Sequence, residues 1–319
     1  MSRVRILPAI PLCLVHLTVL VPDEQADGQE GESSGRIIED ETPQHGRDLQ
    51  NYVTWNVWQG VGWSGALTPT LRFATRIVQS RRYPRAVAGQ EMCYNGFLQM
   101  KDALNDSPLN YDGAFYESNE PTADTDCNRH GNGIFWRGGC YGGLSVCVDR
   151  HEFAHQGGED DTRGWACGRS SQYDAFYCSA HMSQINTPQF PLDPEQHARL
   201  QSVQYRQKSE FVRGAVGIPT VFMGDFNIEV EQSNAGMQDW YQYHREADAC
   251  SPANTRTGCF RTFSIEPGES RSRKYDYIFA SKPSPQFCSR ADDPSFYFGP
   301  YGSSVISDHV SIRGYFGCP

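Results

Sequence analysis

Val221-Phe222-Met223-Gly224-Asp225-Phe226-Asn227 is an apolar run that breaks into a carboxylate, an aromatic ring and an amide. Ser307-Asp308-His309 forms a second box near the end of the chain. Each sets metal-binding or proton-handling groups where a buried strand is expected to end. A strand packed into a sheet is rigid, so groups at its tip are held in place, which catalysis requires. Asp225 and Asn227 are two apart, so an extended chain would carry them on one face. Asp308 puts a hard oxygen ligand beside His309, a base that titrates near neutrality. Together these groups suit hydrolysis of a phosphate ester with a divalent ion.

Similar pairs lie upstream. Trp55-Asn56, Gln90-Glu91, Gly131-Asn132, Arg163-Gly164, Ser179-Ala180-His181 and Asp276-Tyr277-Ile278 follow one another along the chain. The elements that must position them are mostly strands. Tyr52 to Val57 and Ala86 to Glu91 have strand composition, as do the stretches 275–279 and 310–316. Leu71, Ala74, Ile77 and Val78 are at helical spacing, which predicts a helix over 69–80. Asp193-Pro194-Glu195-Gln196 is a helix start, with an N-cap Asp, Pro in the first turn and Gln three residues after the cap. That helix is expected to run to about Arg213. Strands with helices between only some of them predict a mixed α/β or α+β sandwich.

In this order the boxes resemble the endonuclease/exonuclease/phosphatase superfamily, the deoxyribonuclease I-like proteins. The resemblance spans roughly Leu49 to the C-terminus. It implies a four-layer sandwich of two packed mixed β-sheets flanked by helices. It also implies roles. Glu91 would be the main Mg²⁺ ligand, with Asn56 close by and Asp308 a further ligand; Mn²⁺ is the alternative ion. Asp225 would orient or activate the attacking water, and Asn227 would hold a phosphate oxygen. His309 and His181 would flank the phosphorus as base and acid or as charge stabilisers, with Asp276 orienting His309. Arg163 would contact phosphate, and Asn132 would sit in the strand supporting the site. Two boxes depart from the pattern. Ser179-Ala180-His181-Met182 stands where the family has Thr-His-Leu, and Met92-Cys93 follows Glu91 where deoxyribonuclease I has a basic residue. The Cys-rich boxes look more like secreted bacterial members.

The chemistry asks for such a set on its own account. A phosphodiester transition state spreads negative charge over non-bridging oxygens, which a hard cation and fixed donors stabilise. Two histidines can manage the incoming and outgoing protons. A rival lies between the boxes. His151-Glu152-Phe153-Ala154-His155, with Gly158 and Asp161 beyond, has metzincin-like spacing. On a helix, His151 and His155 would bind zinc and Glu152 would act as general base, making a secreted zinc metallopeptidase. The stretch Gly142 to Val148 just upstream has strand rather than helix composition, which opposes it.

Composition sets the frame. The 319 residues carry a net charge of −10, which argues against coating nucleic acid with a basic surface. Arg3 and Arg5 precede an apolar run from Ile6 to Val21, so residues 1–22 are expected to be a signal peptide. Residues 23–47 are acidic and Gly-rich and are expected to be a disordered linker, leaving 48–319 as the catalytic domain. Of the 11 cysteines, only Cys13 falls in the leader, and the other ten fit up to five disulfides in an oxidising compartment. Cys167 and Cys178 flank an expected hairpin turn at Ser170-Ser171-Gln172. Cys140–Cys147 and Cys250–Cys259 close short loops, with Cys93–Cys127 and Cys288–Cys318 then left; the connectivity stays open at this level. No C-x-x-C pair suggests a zinc cluster. Arg271, Arg273 and Lys274 are either a phosphate-binding rim or a solvated loop. The expected partner is a phosphodiester substrate, whether nucleic acid, phospholipid or inositol phosphate. No stable protein partner is implied, and the chain is expected to act as a monomer.

Overall fold

Alternation of side chains along strands buried on both faces dictates the layers. In β2 (Ala86–Cys93), Ala86 and Ala88 enter one core cluster while Val87 and Met92 enter another. This computed structural model describes residues 50–57, 77, 83–105, 110–118, 127, 129–142, 147–156, 162–183, 194–228, 237–246, 274–282, 309 and 312–316. The expected leader and linker lie outside the described residues. So do the helix over 69–80 apart from Ile77, the residues Gly158, Asp161, Arg271, Arg273 and Asp308, and, besides Cys13, the four cysteines Cys250, Cys259, Cys288 and Cys318.

Two mixed sheets form among the described residues. The first has β1 (Gln50–Asn56), β2, β3 (Tyr111–Ser118), β4 (His130–Arg137) and β11 (Ile312–Phe316) in the order β11-β1-β2-β4-β3. The second has β5 (Val148–Glu152), β6 (Gly164–Ser170), β7 (Ala175–His181), β8 (Thr220–Asp225), β9 (His244–Glu246) and β10 (Asp276–Ser281). Its order is β5-β6-β7-β8-β10-β9. β1 and β2 pair in parallel, as do β7 and β8; the other pairings are antiparallel. Tyr52, Ile134, Trp136, Tyr177, Val221, Met223 and Ile278 fill the space between the sheets. Helix α1 (Tyr94–Asn105) covers the outer face of the first sheet with Phe97, Met100 and Leu104, one stripe at helical spacing. Helices α2 (Pro194–Val216) and α3 (Gln238–Tyr243) cover the second with Ala198, Tyr205, Val212 and Trp240. The result is the four-layer sandwich that the resemblance implied.

Local departures have local causes. α2 starts at Pro194 as expected but continues past Arg213 to Val216, stopping where Gly217 takes a φ of +72°. Of the strand expected over 142–148, Gly142 lies in a turn after the Cys140 bridge, Cys147 is helical, Val148 opens β5, and residues 143–146 lie outside the described residues. Three disulfides join the described cysteines: Cys93–Cys127, Cys140–Cys147 and Cys167–Cys178. The last links directly opposed residues of the β6–β7 hairpin. Among the described residues, no helix is long and apolar enough to cross a membrane.

One buried histidine makes stability depend on pH. His244 packs on Trp240 and its Nε2 lies 2.7 Å from Ser209 Oγ. Burial, and then the Arg213 and Arg206 charges, hold its imidazole down to about 3. The unfolded chain takes up this proton near 6.5, and the folded chain does not until about 3. Stability therefore falls as pH drops through that window, by up to about 1.4 kcal/mol per pH unit from this group. Urea midpoints measured from pH 7 to 4 should show that slope, and His244→Gln should flatten it. Identical slopes for both proteins would show that His244 charges freely in the native state.

Candidate active site

Strand register brings three acid–base groups to one end of the second sheet. Asp225 is the last residue of β8. Asp276, the first of β10, pairs with it antiparallel, and His181, the last of β7, pairs with it in parallel. Each has the parity of the residues that face the other sheet: Val221 and Met223 in β8, Ile278 in β10, and Tyr177 in β7. The first sheet answers with Asn56, on the parity of Tyr52, and Asn132, on the parity of Ile134.

Glu91 arrives differently. Between Gly89 and Met92 the ladder with β4 slips: Gly89 pairs with Gly133 and Met92 with Gly131, leaving one extra residue in β2. Glu91 lies in this bulge with a φ of +52°. A bulge re-aims a side chain, and a non-glycine residue held at positive φ marks a place where the surroundings over-determine the backbone.

The polar contacts converge on Asp225. Asn56 Nδ2 donates to Asp225 Oδ2 and to Glu91 Oε1, each at 3.0 Å. His309 Nε2 is 3.5 Å from Asp225 Oδ2, and its Nδ1 is 2.7 Å from Asp276 Oδ2. His181 Nε2 is 3.6 Å from both Glu91 Oε1 and Asp225 Oδ2. Trp55 Nε1 donates to the His309 carbonyl, which ties the C-terminal box to β1. Gln90 Nε2 donates across to Ser179 Oγ, locking the sheets together just inside the site. All these side chains are buried.

Burial decides the protonation tendencies. It pushes the Asp225 carboxyl well above the usual carboxylate range; His309 and Asn56 oppose this, and Asp276 reinforces it. An aspartate so raised can exchange a proton near neutrality. His181 is held well below its ordinary value, by burial first and by the Arg163 charge second.

Several expectations change in detail. Asp225 and Asn227 do not share an extended face. The chain leaves β8 and Asn227 adopts a φ of +50°, so its own N–H donates to Asp225 Oδ1 at 2.8 Å. The Asn227 amide also donates to the Met182 carbonyl at 2.8 Å. Asn132 donates to the Gly164 carbonyl at 3.1 Å. Arg163 is buried with its guanidinium against the His181 ring. Lys274 does not form an exposed rim: it is buried, with Nζ 2.9 Å from Glu246 Oε1. Glu246 escaped the sequence reading because its short strand carries no alternation to announce it. Ser118, His130 and Thr162 also escaped it, and they line a small polar pocket beside Glu91, Arg163 and His181.

The zincin motif is overturned as a site. His151 and Glu152 are exposed neighbours at the end of strand β5, so they point to opposite faces, and His155 lies beyond the strand. The His151 ring packs on Trp165. The helix that would bring both imidazoles to one metal does not form, since β5 pairs with β6 along its whole length.

Gly224 holds Asp225 in place. Its φ is +141°, and a Cβ there would come within 2.0 Å of the Ala180 carbonyl oxygen. Gly224→Ala should cost at least about 3 kcal/mol, from backbone strain together with a clash against backbone that cannot give. Denaturant unfolding measures it, and a loss under about 1 kcal/mol would show that β7 and β8 can separate without penalty.

No protein-family model matches the chain, and no curated protein matches it. Solved structures do. An endonuclease/exonuclease/phosphatase family protein from Bacteroides thetaiotaomicron aligns with 86% of this chain and 100% of its own, at 15% identity and a TM-score of 0.54. The catalytic domain of human Nocturnin, with a bound sulfate anion, covers 85% and 96%, at 16% identity and 0.54. A mannosyl-6-phosphatase from Bacteroides thetaiotaomicron covers 83% and 98%, at 15% identity and 0.52.

Proposed function

We propose that this chain, which has the endonuclease/exonuclease/phosphatase fold, is a secreted metal-dependent phosphoesterase that hydrolyses phosphodiester bonds with water. One observation carries the reading: Asp225 sits where Asn56, His181 and the His309–Asp276 pair meet. An acid, two imidazoles and an amide around one buried point suit attack of water on phosphorus.

The donor set fits a divalent cation. Glu91, Asp225 and Asp276 are buried carboxylates, and Arg163 meets the His181 ring beside them. An excess of buried negative charge needs a counter-charge, and Mg²⁺ or Mn²⁺ takes carboxylate and amide oxygens. Glu91 and Asn56 would hold the ion, with Asp308 as a further ligand. Asp225, Asp276 and His309 also offer atoms within 4.8 Å of one another. That trio reads better as proton-handling groups, because His309 Nδ1 is committed to Asp276 and Mg²⁺ prefers oxygen. When bound, the ion supplies charge stabilisation at the phosphoryl oxygens.

The chain's own residues do the rest. Asp276 accepts from His309 Nδ1–H, which leaves His309 Nε2 bare to take a proton from the attacking water. Asp276 then stabilises the imidazolium that forms. Asp225 orients the water through Oδ2, while Asn56 and the Asn227 N–H hold the carboxylate still. The Asn227 amide, fixed by its bond to Met182, offers its second N–H to a phosphate oxygen. Ten cysteines beyond the leader and the three disulfides support placement outside the cell.

A panel of bis-p-nitrophenyl phosphate, plasmid DNA, RNA, sphingomyelin and inositol phosphates tests the reading. Hydrolysis of the generic diester with Mg²⁺ or Mn²⁺ is expected, and the panel ranks the natural classes. A folded protein that cleaves none of them overturns it.

A further inference from the structure

Arg163 meets His181 in a way that selects one form of the imidazole. Nη1 lies 2.6 Å from His181 Nδ1 and 3.3 Å from Nε2, with both residues buried. A guanidinium has only hydrogens to offer. The ring nitrogen it approaches most closely must therefore present a lone pair, and an imidazole bare at Nδ1 carries its proton on Nε2. The opposite side of the ring agrees. Nε2 lies 3.6 Å from Glu91 Oε1 and 3.6 Å from Asp225 Oδ2, both acceptors when ionised. Nε2 cannot be bare toward Arg163 and protonated toward two carboxylates at once, so the shorter contact decides.

Arg163 is itself built in. Its backbone N–H donates to Gln156 Oε1 at 2.7 Å, and its carbonyl accepts from Gln156 Nε2 and the Phe153 N–H, each at 2.9 Å. It directly precedes Gly164, which pairs with His181 across the β6–β7 ladder. Ladder and clamp therefore set the guanidinium beside the ring independently of any substrate. The second histidine is held differently. His309 turns Nδ1 to the Asp276 carboxylate at 2.7 Å, which calls for a proton on Nδ1, whereas the Arg163 guanidinium calls for a lone pair on His181 Nδ1.

We propose that Arg163 is a positioning residue that fixes His181 in the Nε2–H tautomer, so that Nε2–H is a preset hydrogen-bond donor to a phosphoryl oxygen. The part played in turnover rests on the phosphoesterase reading; the tautomer does not. This replaces the direct phosphate contact that the family resemblance implied for Arg163.

The test uses the full chain labelled with ¹⁵N at its nine histidines. His181 is assigned by the signal lost in His181→Gln. Wild type should show His181 as Nε2–H. Arg163→Lys keeps a charged N–H donor and should keep that tautomer, whereas Arg163→Met should lose it. On the generic diester, Arg163→Met should lower kcat on the order of tenfold with KM nearly unchanged, and Arg163→Lys should recover most of it. A wild-type His181 protonated at Nδ1 overturns the proposal without any variant, which covers the case in which Arg163→Met fails to fold. So does an Arg163→Met protein that keeps Nε2–H and shows only a raised KM, the signature of a phosphate contact. A tautomer that depends on Arg163 in a chain that hydrolyses no diester upholds the positioning role and removes the phosphoesterase reading.

Discussion

Asp225→Ala and His309→Ala should each lower kcat for diester hydrolysis on the order of a thousandfold or more, with the fold intact. Asp225 Oδ2 is the atom on which Asn56, His309 and His181 converge, so its removal takes away the water-orienting carboxylate. His309 supplies the Nε2 lone pair, kept bare because Nδ1 is held by Asp276 at 2.7 Å. Because these groups act as a unit, the double variant should be little worse than either single one. Asp225→Ala also strands the Asn227 N–H, at a cost of about 1–3 kcal/mol when left buried without a partner, and takes from the Asn56 amide one of its acceptors, leaving Glu91. Asp225→Asn keeps the shape and separates that stability loss from the chemical one. Near-UV circular dichroism verifies folding, and Glu152→Gln is the control, since that residue is exposed on β5. A dead Glu152→Gln beside an active His309→Ala would reverse the assignment of the site.

Treatment with EDTA should abolish hydrolysis, and added Mg²⁺ or Mn²⁺ should restore it. The basis is electrostatic. Glu91, Asp225 and Asp276 are buried carboxylates beside the point where the proposed anionic diester would enter. Without a cation the substrate meets like charge, and the transition state, which gathers more, meets it most strongly. A second readout does not depend on turnover. An ion that binds the folded but not the unfolded chain raises the thermal midpoint with its concentration. Wild type should show that rise with Mg²⁺, and Glu91→Gln should require much more of the ion for the same rise. Undiminished hydrolysis in EDTA, or equal midpoints with and without the ion, would take the metal out of the mechanism.

The sequence by itself determined whatever follows from local spacing. The stretches around Tyr52, Val221, Met223 and Ile278 are apolar and of strand composition, so the strands were legible, but not which residue faces which layer, because both faces are apolar. The Pro194 helix start follows from backbone preferences that act over a few residues. Cys167 and Cys178 flank a turn, so their pairing needed only a hairpin. The order of the boxes pointed to the four-layer sandwich that the structure has.

The tertiary structure alone decided how those groups face one another. Asp225, Asp276 and His181 meet because β7, β8 and β10 are neighbours in a particular register, which no single segment encodes. Glu91 reaches the site through one extra residue in β2, visible only against the partner strand β4. Asn227 turns at positive φ to hold Asp225, where an extended reading put the two side by side. Arg163 ends on His181, and Lys274 on Glu246, because a buried charge takes the best partner its neighbours supply, and those neighbours come from distant parts of the chain. The His-Glu-x-x-His motif shows the same limit: its spacing makes a zinc site only on a helix, and pairing with β6 made it a strand.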